Sequence, residues 1–145
     1  MQSCKSIGMG LATGLVFATM GVAQAHGNSD HAATGSAVKP VMQERVPELP
    51  NSSVLLATVH YAPGGTSAAH MHPGSVFAYV LEGAVVSQLG GGKEQVFTQG
   101  QAWYEPAGTH HLVSRNASAD KPATLLVFGI VADGQQLTAP IGASQ

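Results

Sequence analysis

Histidines separated by one residue in an extended segment project from the same face, because successive side chains on a strand point to opposite sides. The run Gly64-Gly65-Thr66-Ser67-Ala68-Ala69-His70-Met71-His72-Pro73-Gly74 has that spacing, which lets His70 and His72 hold one ion between them. A third imidazole must come from elsewhere in the chain. The segment Gly100-Gln101-Ala102-Trp103-Tyr104-Glu105-Pro106-Ala107-Gly108-Thr109-His110-His111 supplies it, since its Pro-x-Gly turn delivers a His pair onto the start of another apolar stretch. At this level either His110 or His111 serves.

The elements that must position these groups read as short strands. Val54 to Tyr61 is rich in apolar and β-branched residues, and Ala62-Pro63-Gly64-Gly65 ends it. After the His-bearing segment, Pro73-Gly74 turns the chain into Val76 to Leu81, Glu82-Gly83 breaks it, and Ala84 to Leu89 runs to a Gly90-Gly91-Gly92-Lys93 hairpin signal. Gln95 to Thr98 returns; Ala102 to Glu105, His111 to Asn116 and Thr124 to Ala132 follow. No segment beyond residue 50 carries a sustained i, i+3, i+4 apolar pattern, so six to eight short strands with Gly and Pro turns predict an all-β sandwich or barrel.

The 145 residues leave room for one domain. Residues 1–25 combine Lys5 near the start, an apolar stretch from Ile7 to Val22 and Ala23-Gln24-Ala25 ahead of His26, the three parts of a secretory signal. A transmembrane anchor needs about 20 strongly apolar residues, and this stretch is shorter and broken by Gly8, Gly10, Gly14 and Gly21. The expectation is a cleaved signal peptide, no stable membrane anchor afterwards, and a periplasmic or secreted product. Cleavage removes Cys4, the single cysteine, and with it disulfides, thiolate ligands and cysteine nucleophiles. Residues 26–50, with Gly, Ser, Ala, Asn and Pro and no apolar periodicity, read as a flexible leader, 51–140 as the barrel and 141–145 as a tail. The net charge is −2, and Lys39, Arg45, Lys93, Arg115 and Lys121 are scattered, so nucleic acid is not an expected partner. A core of roughly 90 residues is small by surface-to-volume scaling, and pairing of two barrels into a homodimer would add to it.

The two histidine segments resemble the paired motifs of the cupin superfamily, small double-stranded β-helix barrels of the jelly-roll type. The first motif has the form G-x5-H-x-H-x3/4-E-x6-G, and Gly64, His70, His72 and Gly83 fall on it. The second has the form G-x5-P-x-G-x2-H-x3-N; Gly100, Pro106, Gly108 and His111 match, with the asparagine one place late at Asn116. The resemblance spans about residues 54 to 132. It implies a ligand set of His70, His72 and His111, with one divalent metal ion: iron by preference, with manganese, nickel, copper, cobalt and zinc also accommodated by three imidazoles.

One departure bears on the chemistry. The position usually held by a glutamate ligand is Val76, so the resemblance leaves three histidines without the carboxylate. Three neutral imidazoles would leave the full dication charge uncompensated and favour a chelating, readily deprotonated substrate. His110, whose side chain alternation points away from His111, is a candidate for orienting a ligand or substrate from behind the metal-binding rings. Glu105 reads either as an acid/base or replacement ligand reaching the cavity, or as a solvated carboxylate at a turn. Val76 is packing beside the metal; Tyr79, Trp103 and Tyr104 line a substrate pocket or pack in the core and rim.

Cupin sites with three histidines resemble those of some thiol and diketone dioxygenases. The leading expectation is therefore an exported, mononuclear metal-dependent oxidoreductase of the dioxygenase type acting on a small chelating organic molecule. The alternatives are a non-catalytic, metal-bearing cupin that binds or senses a small ligand, and a structural barrel whose histidines stay empty.

Overall fold

The computed structural model describes residues 33–142 of the chain; the expected signal peptide and the first part of the leader lie outside the described residues. All the regular elements described are strands: β1 (Thr34–Arg45), β2 (Ser52–Thr66), β3 (His70–Met71), β4 (Ser75–Glu82), β5 (Ala84–Leu89), β6 (Gln95–Thr98), β7 (Ala102–Glu105), β8 (His110–Asn116), β9 (Ala123–Ala132) and β10 (Ala139–Pro140). The ten strands form a single antiparallel sheet that curls on itself.

One half of the sheet runs β1-β2-β9-β4-β7 and the other β10-β3-β8-β5-β6. They join where β2 continues through Ala62-Pro63-Gly64-Gly65, a stretch the sequence reads as a turn, and brings Thr66 opposite Arg115 of β8. A hydrogen bond from Gly64 N–H to the Ser118 carbonyl, 2.8 Å, supports that extension.

Alternation fixes what each strand turns inward. On β4, Val76, Ala78 and Val80 are buried while Phe77, Tyr79 and Leu81 face out; on β9, Ala123, Leu125, Val127 and Val131 are buried in step. These residues meet Tyr61, Val85 and Trp103 in one core. Each fully buried valine there contributes about 1.5–3 kcal/mol of transfer free energy. Gly83, at φ 73, closes the β4–β5 corner, where a Cβ would press on the Pro122 carbonyl oxygen at 2.6 Å.

Residues 34–45, read from sequence as leader, are the twelve-residue strand β1, antiparallel to β2. The strand is exposed along almost its whole length. Backbone pairing rather than side-chain burial holds it, so nothing in its sequence has to alternate. Pro40 is accommodated beside a register shift between Pro40 and Met42, as expected of an edge strand.

Candidate metal centre

His70 opens the two-residue strand β3 and lies directly opposite His111 in the β3–β8 register. His72 follows at the next inward position. The Pro106–Thr109 turn, closed by a 3.0 Å bond from Thr109 N–H to the Pro106 carbonyl with Gly108 at φ 76, docks onto it: Gly108 N–H donates to the His72 carbonyl at 2.8 Å. In β8 a register shift against β5 skips Leu112, so that both His111 and Ser114 face inward although they stand three residues apart.

The three rings converge. Their centroids are 4.8 Å (His70–His72), 5.1 Å (His70–His111) and 6.3 Å (His72–His111) apart, and one nitrogen from each lies within 4.8 Å of the other two. Backbone carbonyls set two of the tautomers. His70 Nδ1–H donates to Ala68 O at 2.8 Å and His72 Nδ1–H donates to Leu137 O at 2.7 Å. Each neutral ring therefore turns its Nε2 lone pair into the site, and the two Nε2 atoms face one another at 3.2 Å. Opposed lone pairs repel unless a cation or a proton lies between them. Burial holds the His70 imidazole below its ordinary value of 6.5, helped by His72 and His111 and opposed by its bond to Ala68 and by Glu105, so the ring stays neutral at pH 7.

Glu105 lies among them. Its side chain is 2% exposed, with Oε2 3.1 Å from His111 Nδ1 and 3.4 Å from His72 Nε2. Oε1 accepts the indole N–H of Trp103 at 2.9 Å, whereas Oε2 and His111 Nδ1 are both buried with no hydrogen-bond partner among the described residues. The far side of the His111 ring meets Ser87, Nε2 to Oγ at 2.9 Å. Burial alone would raise the Glu105 carboxyl; the close approach of His111, the neighbouring His72 ring and the Trp103 donor outweigh it and hold the group below its ordinary 4.5. Two orphaned buried atoms beside two opposed imidazole nitrogens form a cluster of nitrogen and oxygen ligand atoms that suits a divalent cation.

This group opens on a cavity of about 350 Å³ whose wall is largely aliphatic, including Val76, Ala78, Leu125 and Val127. Elsewhere on the wall the Tyr61 hydroxyl lies 2.9 Å from Ser67 Oγ and 2.7 Å from Ser114 Oγ. Burial raises the Tyr61 phenol above 10, with Glu105 adding to the rise and the two serines opposing it, so the hydroxyl stays protonated. The sequence missed Tyr61, Ser67, Ser87 and Ser114; period-two alternation from Val59 would have turned Tyr61 inward and from Val85 would have turned Ser87 inward, but Ser67 and Ser114 reach the wall through a loop and a bulge that no periodicity signals.

Three expected positions fall elsewhere. Tyr79 and Tyr104 are outward residues, 44% and 48% exposed, and Tyr104 stacks on Phe77 at 4.8 Å outside the barrel rather than lining the pocket. His110 is exposed on the face of β8 opposite to His111, away from the converging rings. Of the aromatic candidates, Trp103 alone faces the cavity, on the inward parity of β7 that it shares with Glu105. His60, on β2, is exposed and lies 3.3 Å from Thr124 Oγ1.

Comparison with known proteins places this architecture. The Cupin_2 family model, a cupin domain, matches residues 57–129. Germin-like protein subfamily 2 member 2 of Arabidopsis thaliana is 35% identical over 97 residues, covering 63% of this chain and 43% of that protein. Among solved structures, the DMSP lyase DddQ from Ruegeria pomeroyi DSS-3 superposes with a TM-score of 0.59 at 20% identity, covering 76% of this chain and 53% of that one. An oxalate oxidase superposes with a TM-score of 0.52 at 26% identity, covering 68% and 55%. The chain thus spans about half the length of these relatives or less. A lyase and an oxidase share the barrel, so the fold by itself does not choose a reaction.

Proposed function

The chain belongs to the cupin domain family, and from that premise we propose that it is a mononuclear metal-dependent oxidoreductase of the dioxygenase type acting on a small chelating organic molecule. The observation that carries the reading is the convergence of the His70, His72 and His111 nitrogens within 4.8 Å of one another at a cavity of about 350 Å³. His70, His72 and His111 would hold the ion, with iron preferred among the divalent metals that imidazoles accept. When bound, the ion supplies a Lewis acid that activates a coordinated oxygen or sulfur at neutral pH.

The chain's own residues supply the rest. The Ala68 and Leu137 carbonyls fix the His70 and His72 tautomers. The aliphatic wall excludes water, and the Tyr61 hydroxyl with its partners Ser67 and Ser114 adds a polar patch to that wall on which a substrate oxygen could be oriented. Likeness to an oxalate oxidase supports oxidative chemistry over the lyase reaction, whose representative shares only the fold. Export to the periplasm or beyond is part of the proposal and rests on residues 1–25. A homodimer is proposed from the small core, supported by the outward row Phe77, Tyr79 and Leu81.

The test is elemental analysis of the exported protein beside its His70→Ala/His72→Ala variant, followed by oxygen uptake with a panel of enols, phenols and thiols. One equivalent of iron, lost in the variant, with substrate-dependent oxygen uptake supports the proposal. A retained metal with no turnover of any chelator selects the ligand-binding or sensing alternative. Absence of metal after reconstitution removes both.

A further inference from the structure

We infer that Glu105 takes the place of the carboxylate missing at position 76 and is the fourth ligand of the ion held by His70, His72 and His111. The inference rests on the metal-binding reading above and deepens it.

Val76 and Glu105 are direct partners in the antiparallel β4–β7 pair, and both are buried on the inward face. Side chains so opposed have Cβ atoms about 4.5–5.5 Å apart. A carboxylate absent from β4 is thus supplied one strand away, from the position directly opposite. Its two oxygens are differentiated. Oε1 is tied to Trp103, while Oε2, with no hydrogen-bond partner, is aimed between His72 and His111. A merely structural glutamate would bond both oxygens, because leaving a buried charged oxygen unpaired is costly.

A donor to Oε2 is not at hand among its neighbours. The Nδ1–H of His72 is already donated to the Leu137 carbonyl, and the His111 Nδ1 contact does not meet hydrogen-bond geometry. A cation shared by Oε2 and the three imidazoles satisfies every one of these atoms at once. The carboxylate also changes the charge that the sequence reading assigned to the site: three neutral imidazoles and one carboxylate leave a dication with a net charge of +1, which a singly deprotonated chelator neutralises.

The test is metal binding by the full, metal-stripped protein, with Co²⁺ as the probe. Affinity is read by competition with a chelator and coordination by the visible absorption of the bound cobalt; thermal melting checks folding. A residue that only orients a ligand costs about 10–100-fold in metal affinity. Glu105→Gln, which keeps an acceptor for Trp103, is expected to weaken Co²⁺ binding by more than about 100-fold and to change the cobalt spectrum. Adding Val76→Glu to that variant is expected to recover at least about tenfold by returning the carboxylate to β4.

Wild-type affinity and spectrum in Glu105→Gln, with binding still lost in His111→Ala, would overturn the role of Glu105 and leave the three-histidine site standing. No Co²⁺ uptake by the wild-type protein would overturn both. Should Glu105→Gln not fold, the double variant decides by the same recovery: a folded double variant that binds no better than His111→Ala counts against the inference.

Discussion

Trp103 donates its indole N–H to Glu105 Oε1 at 2.9 Å, so the single tryptophan of the chain is hydrogen-bonded to the carboxylate that faces the three histidines. β7 is only four residues long, and its alternation turns these two side chains inward together. The protein therefore carries a built-in optical probe of its own site.

Titration of the metal-free protein with Co²⁺ or Cu²⁺ should quench Trp103 emission and saturate at one equivalent, since the indole lies against a group beside the ion. The His70→Ala/His72→Ala variant should show no saturable quenching. Equal quenching in both proteins would place the ion elsewhere. Trp103→Phe removes the one hydrogen bond that Oε1 of this buried carboxylate accepts among the described residues and should cost about 1–3 kcal/mol of stability in chemical denaturation.

Ser87→Ala should weaken metal binding without abolishing it. The serine meets His111 Nε2 at 2.9 Å and fixes which nitrogen of that ring is turned toward Glu105. Loss of such an outer partner typically costs about 10–100-fold in affinity, measurable by chelator competition. An unchanged affinity would show that packing alone orients the ring.

Two glycine substitutions separate scaffold from site. A Cβ at Gly74 would collide with the Ile130 backbone oxygen, which cannot move without disturbing β9, so Gly74→Ala should destabilise by about 2–3 kcal/mol in urea unfolding. At Gly129 the collision is with the flexible end of Leu137, whose carbonyl holds His72 Nδ1. Gly129→Ala should cost less stability and more metal affinity, about tenfold or more. The reverse ranking would mean that Leu137 does not position His72.

Acid should destabilise the metal-free protein in two stages. The folded-state value of His70 lies below 6.5, so the unfolded chain takes up that proton first, and stability present above about 6.5 is lost as the pH falls through the folded value. Glu105, held below 4.5, likewise contributes stability above the unfolded carboxyl value that is lost as the pH falls further. Both slopes have the same sign. Melting temperature should decline from pH 6.5 to below 4.5, and His70→Gln should remove the first part of the decline. Metal retention should fall over the same upper range, because protonated imidazoles cannot ligate.

His70 and His72 were legible as a pair because spacing by two is a local rule that any extended segment obeys. Gly83 and Gly108 stood where corners were expected because their left-handed backbone can be anticipated from turn chemistry. The spacing of the resembled motif selected His111, and strand alternation then turned His110 the other way. Applied to Phe77 and Tyr79, or to Trp103 and Tyr104, it would have sorted inward from outward aromatics, had one buried neighbour on each strand been known.

β1 was not legible, because an edge strand held by backbone bonds leaves no mark of burial in its sequence. Nor could the sequence decide between a solvated and a buried Glu105. Its role depends on the register that sets β7 against β4, and on Trp103, Leu137 and Ser87 arriving from three other places in the chain. Local spacing determined which imidazoles could meet and on what kind of scaffold. Cross-strand register, a property of distant segments paired through the whole sheet, decided that a carboxylate would join them.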